Sequence, residues 1–164
     1  SVAYFVPKPF TPMQWEPQIS TEEYMRRVML LKESIRSKSI QLHWHETELS
    51  RLEAVLARGD RRLCDVLEYA VRHGARLDGW REYFSLSTWD KAFEACGLDP
   101  AFYANRTRGD DEVFPWEPIS VGVSRAFFAR ERKQIQKSVI TPDCRVHCSG
   151  CGANCLLEGG VCDA

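Results

Sequence analysis

Four prolines fall within eleven residues, at Pro7, Pro9, Pro12 and Pro17, and no regular element can run through them. Each lacks a backbone N–H, locks its own φ and pushes the residue before it out of the helical region. The chain is therefore cut near its start into a short apolar run and a long remainder. The run, residues 2–6 (Val-Ala-Tyr-Phe-Val), is continuously apolar, the pattern of a strand covered on both faces. Beyond the prolines, Ser20 and Glu23 make a capping box, and Tyr24, Val28 and Leu31 recur at helical spacing, which predicts a helix over about 21–37. Ile40, Leu42 and Trp44 then alternate with Gln41, His43 and His45, the signature of a half-buried strand. Strand, long helix, strand predicts a βαβ crossover, a unit that belongs to parallel sheets.

The remainder reads as helical. Ser50 and Glu53 repeat the capping box ahead of Leu52, Val55 and Leu56, and Gly59 ends that stripe. Asp60 can cap a next helix that faces the core with Leu63, Val66, Leu67 and Ala70 and stops at Gly74. Ser87 opens a further helix with Trp89 and Phe93, closed by Gly97, and Asp99-Pro100 starts a short one through Tyr103. Residues 106–118 form a polar loop, after which Val123, Phe127 and Ile135 line one face of a charged helix to about Lys137. The fold class expected is α+β and mostly helical: a short βαβ unit, a helical bundle and a cysteine-rich, metal-binding tail. The expected divisions are 1–46, 47–138 and 139–164.

The tail carries the most chemistry. Five of the seven cysteines lie in the last 21 residues, as Cys144-x3-Cys148-x2-Cys151-x3-Cys155 with Cys162 beyond, and glycines are interleaved. Glycines let a short chain fold back so that several thiolates reach one centre. Four such sulfurs suit an iron–sulfur cluster or a zinc ion, and the opening residues carry no secretion signal that would favour disulfides. His147 is a possible substitute ligand. Cys64 and Cys96, each single in a helical pattern, read as small buried hydrophobes.

Other segments carry weaker signals. His43 and His45 point the same way from a strand and could ligate a metal, against the simpler reading of a polar face. Arg58-Gly-Asp-Arg-Arg62 could hold an anion at a helix start, against a helix junction with paired arginines. Asp110, Asp111 and Glu112 read as a solvated loop. Lys and Arg total 22 against 23 Asp and Glu, for a net charge of −1, so there is no clear nucleic-acid signature. No apolar stretch approaches the ~20 residues of a membrane span, and the protein is expected to be cytoplasmic. The sequence opens inside an apparent buried strand with no initiator Met, and the expectation is a piece of a larger protein.

Several segments in order carry a resemblance: Phe5-Val-Pro-Lys-Pro-Phe-Thr-Pro-Met-Gln-Trp15, Ser50-x-x-Glu53 running into Arg58-Gly-Asp-Arg-Arg62, Gly74-Ala-Arg-Leu-Asp-Gly-Trp80, Trp89-x-x-Ala-Phe93, Pro115-Trp116 and the cysteine tail. Together they resemble the C-terminal region of a bacterial family of radical S-adenosylmethionine proteins. That family has a cobalamin-binding-like N-terminal domain and a barrel related to the methylthiotransferase and elongator-like enzymes. The resemblance spans nearly the whole chain and implies a chemistry class without a substrate. It implies that residues 2–6 are the last barrel strand, so that the βαβ unit is the end of a partial barrel. The cluster-binding cysteines would then lie upstream of Ser1, and the missing barrel domain would be the chain's partner. S-adenosylmethionine, a 4Fe–4S cluster and, as a candidate, cobalamin would serve the parent protein. Cys144-x3-Cys148-x2-Cys151 has the spacing of such a cluster motif, but thirteen residues after Cys151 cannot supply a barrel, so it is read as an auxiliary metal site.

Active sites of such barrels lie at the C-terminal strand ends, so Lys8, Thr11, Gln14 and Trp15 are candidate cofactor-binding residues, with a plain proline-rich linker as the other reading. Two functions stay open. One is the C-terminal part of a radical enzyme, inert by itself, that supports the barrel and carries an auxiliary metal centre. The other is a free-standing, zinc-stapled helical interaction module without catalysis.

Overall fold

The computed structural model of the protein describes residues 1–153. Among these it has six α-helices: α1 Thr21–Ser34, α2 Thr47–Ala57, α3 Leu63–Arg72, α4 Leu86–Ala95, α5 Pro100–Ala104 and α6 Arg125–Gln136. Two compact units interleave along the sequence. Residues 1–7 and 17–108 make the first, and residues 8–16 with the described residues from 109 onward make the second.

In the first unit α3 packs on α4 and α2 on α5. Leu52, Val55, Leu63, Val66, Trp89 and Phe93 fill the core between them. Helix limits follow local chemistry. The Ser20 hydroxyl accepts from the Glu23 N–H at 3.2 Å to start α1, and Glu23 is gripped by Arg26 and Arg27, which hold its carboxyl at about 2. Gly74, at φ +98°, ends α3 as expected, because a residue there needs the left-handed region. Asp99 accepts from Ala101 N–H at 2.8 Å ahead of Pro100 and starts α5. A smaller cluster joins Tyr4 and Tyr24, stacked at 4.3 Å, with Val28.

The βαβ expectation is overturned: among the described residues there is no strand and no sheet, and the fold is helical rather than α+β. One parallel bridge, between Val2 and Trp44, is all the pairing that forms. Val2 N–H donates to His43 O at 2.7 Å and His45 N–H to Val2 O at 3.0 Å. The pairing goes no further: His45 O, the next acceptor in that ladder, takes the Tyr24 hydroxyl at 3.3 Å. The Gln18 side-chain amide donates to Phe5 O at 3.2 Å, and Pro7 has no N–H to offer. Ile40 is 57% exposed, so the alternation over 40–45 marks no buried face.

Other readings shift as well. Helix α2 starts at Thr47, which places Ser50 and Glu53 inside it, and Ser50 is buried rather than capping. Leu31, Leu56 and Leu67, read as core, are exposed, because each stripe is narrower than its spacing implies. Cys64 is exposed too.

The second unit is built on Trp15, Phe114, Trp116 and Phe128. The Ser124 hydroxyl accepts from the Phe127 N–H at 3.2 Å and starts α6, which turns Phe128 inward while Ile135 stays exposed. Among the described residues no helix is long and apolar enough to cross a membrane.

Candidate functional site

The segment 8–16 and the described part of the cysteine tail belong to the second unit. Residues 8–16 fold as a chain of tight turns, with Gln14 N–H on Thr11 O at 3.1 Å and Glu16 N–H on Met13 O at 3.0 Å. The turns send Gln14 and Trp15 inward and leave Lys8 exposed, while the Thr11 hydroxyl donates to Lys8 O at 2.8 Å. Trp15, 1% exposed, meets Phe114 edge-on at 5.6 Å. The guanidiniums of Arg125 and Arg132 lie 5.7 and 5.6 Å from the centre of its ring. Arg132 is fixed in turn by Glu16 and Asp110, both at 2.7 Å, so Asp110 serves an ion pair rather than a merely solvated loop. The four residues thus divide: Gln14 and Trp15 enter the interior, while Lys8 and Thr11 do not.

The tail returns onto the start of α6. Ser124 N–H donates to Cys151 O at 2.9 Å, and Arg130 donates to Ser149 O. Gly150 and Gly152, which flank Cys151, hold φ of +64° and +96°. A Cβ on Gly152 would meet Gly122 O at 3.0 Å, so the loop lies directly on that carbonyl. Cys151 Sγ accepts from Ala153 N–H at 3.4 Å. Cys148 is half-buried beside His147, where an open cavity also touches Arg130 and Thr141, and Cys144 is exposed. The neighbouring Asp143 is held below the usual carboxylate range by the Arg145 guanidinium and then by the Arg145 N–H.

The fit to a metal is partial. Cys151 is held in a loop tied to Ser124. Yet among the described residues no three His, Cys, Asp or Glu side chains come close enough to share an ion. Cys155 and Cys162, the other two expected ligands, lie outside the described residues. His43 and His45 are exposed and join no such group. The Arg58 segment is no anion site. Arg58 is 1% exposed, with its guanidinium on the carbonyls of Ala104 at 3.1 Å and Arg106 at 3.4 Å, while Asp60 holds Arg62.

Sequence reasoning missed Arg125, Arg132 and Phe128 as neighbours of the 8–16 segment, since contacts over a hundred residues leave no periodic trace. No protein-family model matches the chain, and no curated protein or solved structure matches it.

Proposed function

We propose that this chain is the C-terminal portion of a cytoplasmic radical S-adenosylmethionine enzyme whose cysteine tail binds an auxiliary metal centre. Cys144, Cys148, Cys151 and Cys155 would hold it, with Cys162 or His147 able to replace one of them. The observation that carries the reading is the presentation of Cys151. It sits between two glycines in the left-handed region, its carbonyl is tied to Ser124, and its sulfur receives a backbone N–H. Such a loop fixes the sulfur's position, so ligation would need little further ordering of the backbone. A bound centre would supply either redox chemistry, as an iron–sulfur cluster, or a structural staple, as zinc. The chain's own part is to deliver deprotonated sulfur, so loading releases protons and draws the thiols together.

Elemental analysis with thiol counting tests the metal. One centre per chain is expected, as iron with sulfide or as zinc, lost in the Cys148→Ser, Cys151→Ser double variant. Wild-type protein with neither metal and all tail thiols reactive would sink the site. The wider assignment has its own test in the reading frame upstream of Ser1. A Cys-x3-Cys-x2-Cys motif is expected there, and a start codon directly before Ser1 would leave the zinc-stapled helical module in its place.

A further inference from the structure

The second unit carries a half-open cavity of about 230 Å³ whose walls include Phe10, Phe114, Trp116, Val123 and Phe128. An apolar cavity of about 150 Å³ accepts benzene, so this one has room for two fused rings. Among its polar wall residues, which include Glu117, Ser120 and Arg125, Gln14 is the most buried. Gln14 is 4% exposed, and its Oε1 accepts from Phe10 N–H at 3.2 Å and Trp116 Nε1–H at 2.9 Å. Two N–H donors on one atom fix which end of the amide is oxygen. The NH2 at the other end has no acceptor among the described residues. It opens onto the cavity, where an acceptor from outside the chain can take it in place of water.

The charged wall groups narrow the ligand. Arg125 forms an ion pair with Glu117 and also donates to the carbonyls of Asp110 at 2.6 Å and Glu112 at 2.8 Å. The guanidinium is therefore committed to protein oxygens, and the wall carries no charge seeking an ionic partner. Phe10 adds a third sign. It holds φ +57°, costly for a bulky side chain, and its N–H is the one that Gln14 retains. Strain of this kind persists at ligand clamps.

We propose that the cavity binds a small, uncharged, planar aromatic or heteroaromatic molecule of about two fused rings, with an edge carbonyl accepting from the Gln14 amide. The aromatic walls supply the area and the amide sets the orientation. The inference does not rest on the metal reading, since none of these residues is a tail cysteine.

Coumarin, a neutral two-ring lactone, and naphthalene, of the same size without the oxygens, are the probes, titrated into the full chain by calorimetry. Gln14→Glu keeps an acceptor for Phe10 and Trp116 and removes the donor. It should weaken coumarin about tenfold and naphthalene less than twofold, the cost of one lost hydrogen bond. No coumarin binding up to millimolar concentration, or equal weakening of both probes, overturns the proposal. Should the variant fail to fold, the wild-type chain decides through the side-chain amide resonances of Gln14. A shift with coumarin and none with naphthalene supports the site, and no shift with coumarin overturns it.

Discussion

At the scale of single residues, Gly152 combines two constraints, a φ of +96° and a carbonyl oxygen 3.0 Å from where a Cβ would stand. Gly152→Ala must therefore twist the loop away from Gly122, breaking the bond between Ser124 and Cys151. A loss of about 1–2 kcal/mol is expected, with faster labelling of Cys151 by a thiol reagent. Unchanged labelling would show that the clasp does not shield that sulfur. Asp60 gives a pH-dependent counterpart in the first unit. Its carboxylate takes the Arg62 side chain at 2.7 Å, the Arg62 N–H at 3.0 Å and the Tyr103 hydroxyl at 3.5 Å. The Arg62 guanidinium, first among these, holds its pKa below the ordinary value. A depressed carboxylate stabilises the fold above the ordinary pKa, and that share is lost as pH falls through the depressed value. Because Arg62 is over half exposed the share is small, below about 1 kcal/mol. Asp60→Asn should lower stability at neutral pH and match the wild type in strong acid, as urea titrations at the two pH values can read.

At the scale of elements, Gln18 does what the missing sheet would have done. Its amide donates to Phe5 O and Ser50 O, its N–H to Ala104 O at 2.9 Å, and Asn105 donates back to Gln18 O at 3.0 Å. One buried residue thus ties the N-terminal segment to α2 with its side chain and to the end of α5 with its backbone. Gln18→Leu should cost about 2 kcal/mol in urea denaturation with an unchanged slope, since Phe5 O loses its donor while the core keeps its volume. A wild-type midpoint would mean that water replaces the amide without penalty. The helices were legible because their signals are local: Ser20, Gly74 and Asp99-Pro100 act within one turn of themselves. Residues 2–6 were not, because a short apolar run has the same appearance in a strand and in a buried irregular segment. Only the partners of its carbonyls distinguish the two, and Gln18 lies beyond the prolines. The candidate site divides the same way. Gln14 and Trp15 were singled out with Lys8 and Thr11 by their place after the apolar run, but the inward turn that separates the two pairs depends on Phe114, Trp116 and Phe128 far along the chain.

At the scale of the whole molecule, the second unit depends on a nine-residue segment borrowed from near the start of the chain. Trp15 is that segment's main contribution: it is buried among Phe114, Trp116 and Phe128 and faced by Arg125 and Arg132. The first unit has a core of its own that uses none of these side chains. Removing the Trp15 ring should therefore act on one unit. Trp15→Ala is expected to cost the second unit about 3–5 kcal/mol, the range for deleting a buried Trp. Native-state hydrogen exchange can locate the loss, with the amides of α6 losing protection while those of α3 and α4 keep theirs. Trp15→Phe supplies the control, because the indole N–H it removes has no hydrogen-bond partner among the described residues. That variant keeps an aromatic ring beneath the two guanidiniums and should cost much less than Trp15→Ala. Equal loss of protection in α3 and α6 would show that the two cores unfold as one, and that the division at residues 8–16 is geometric without being energetic.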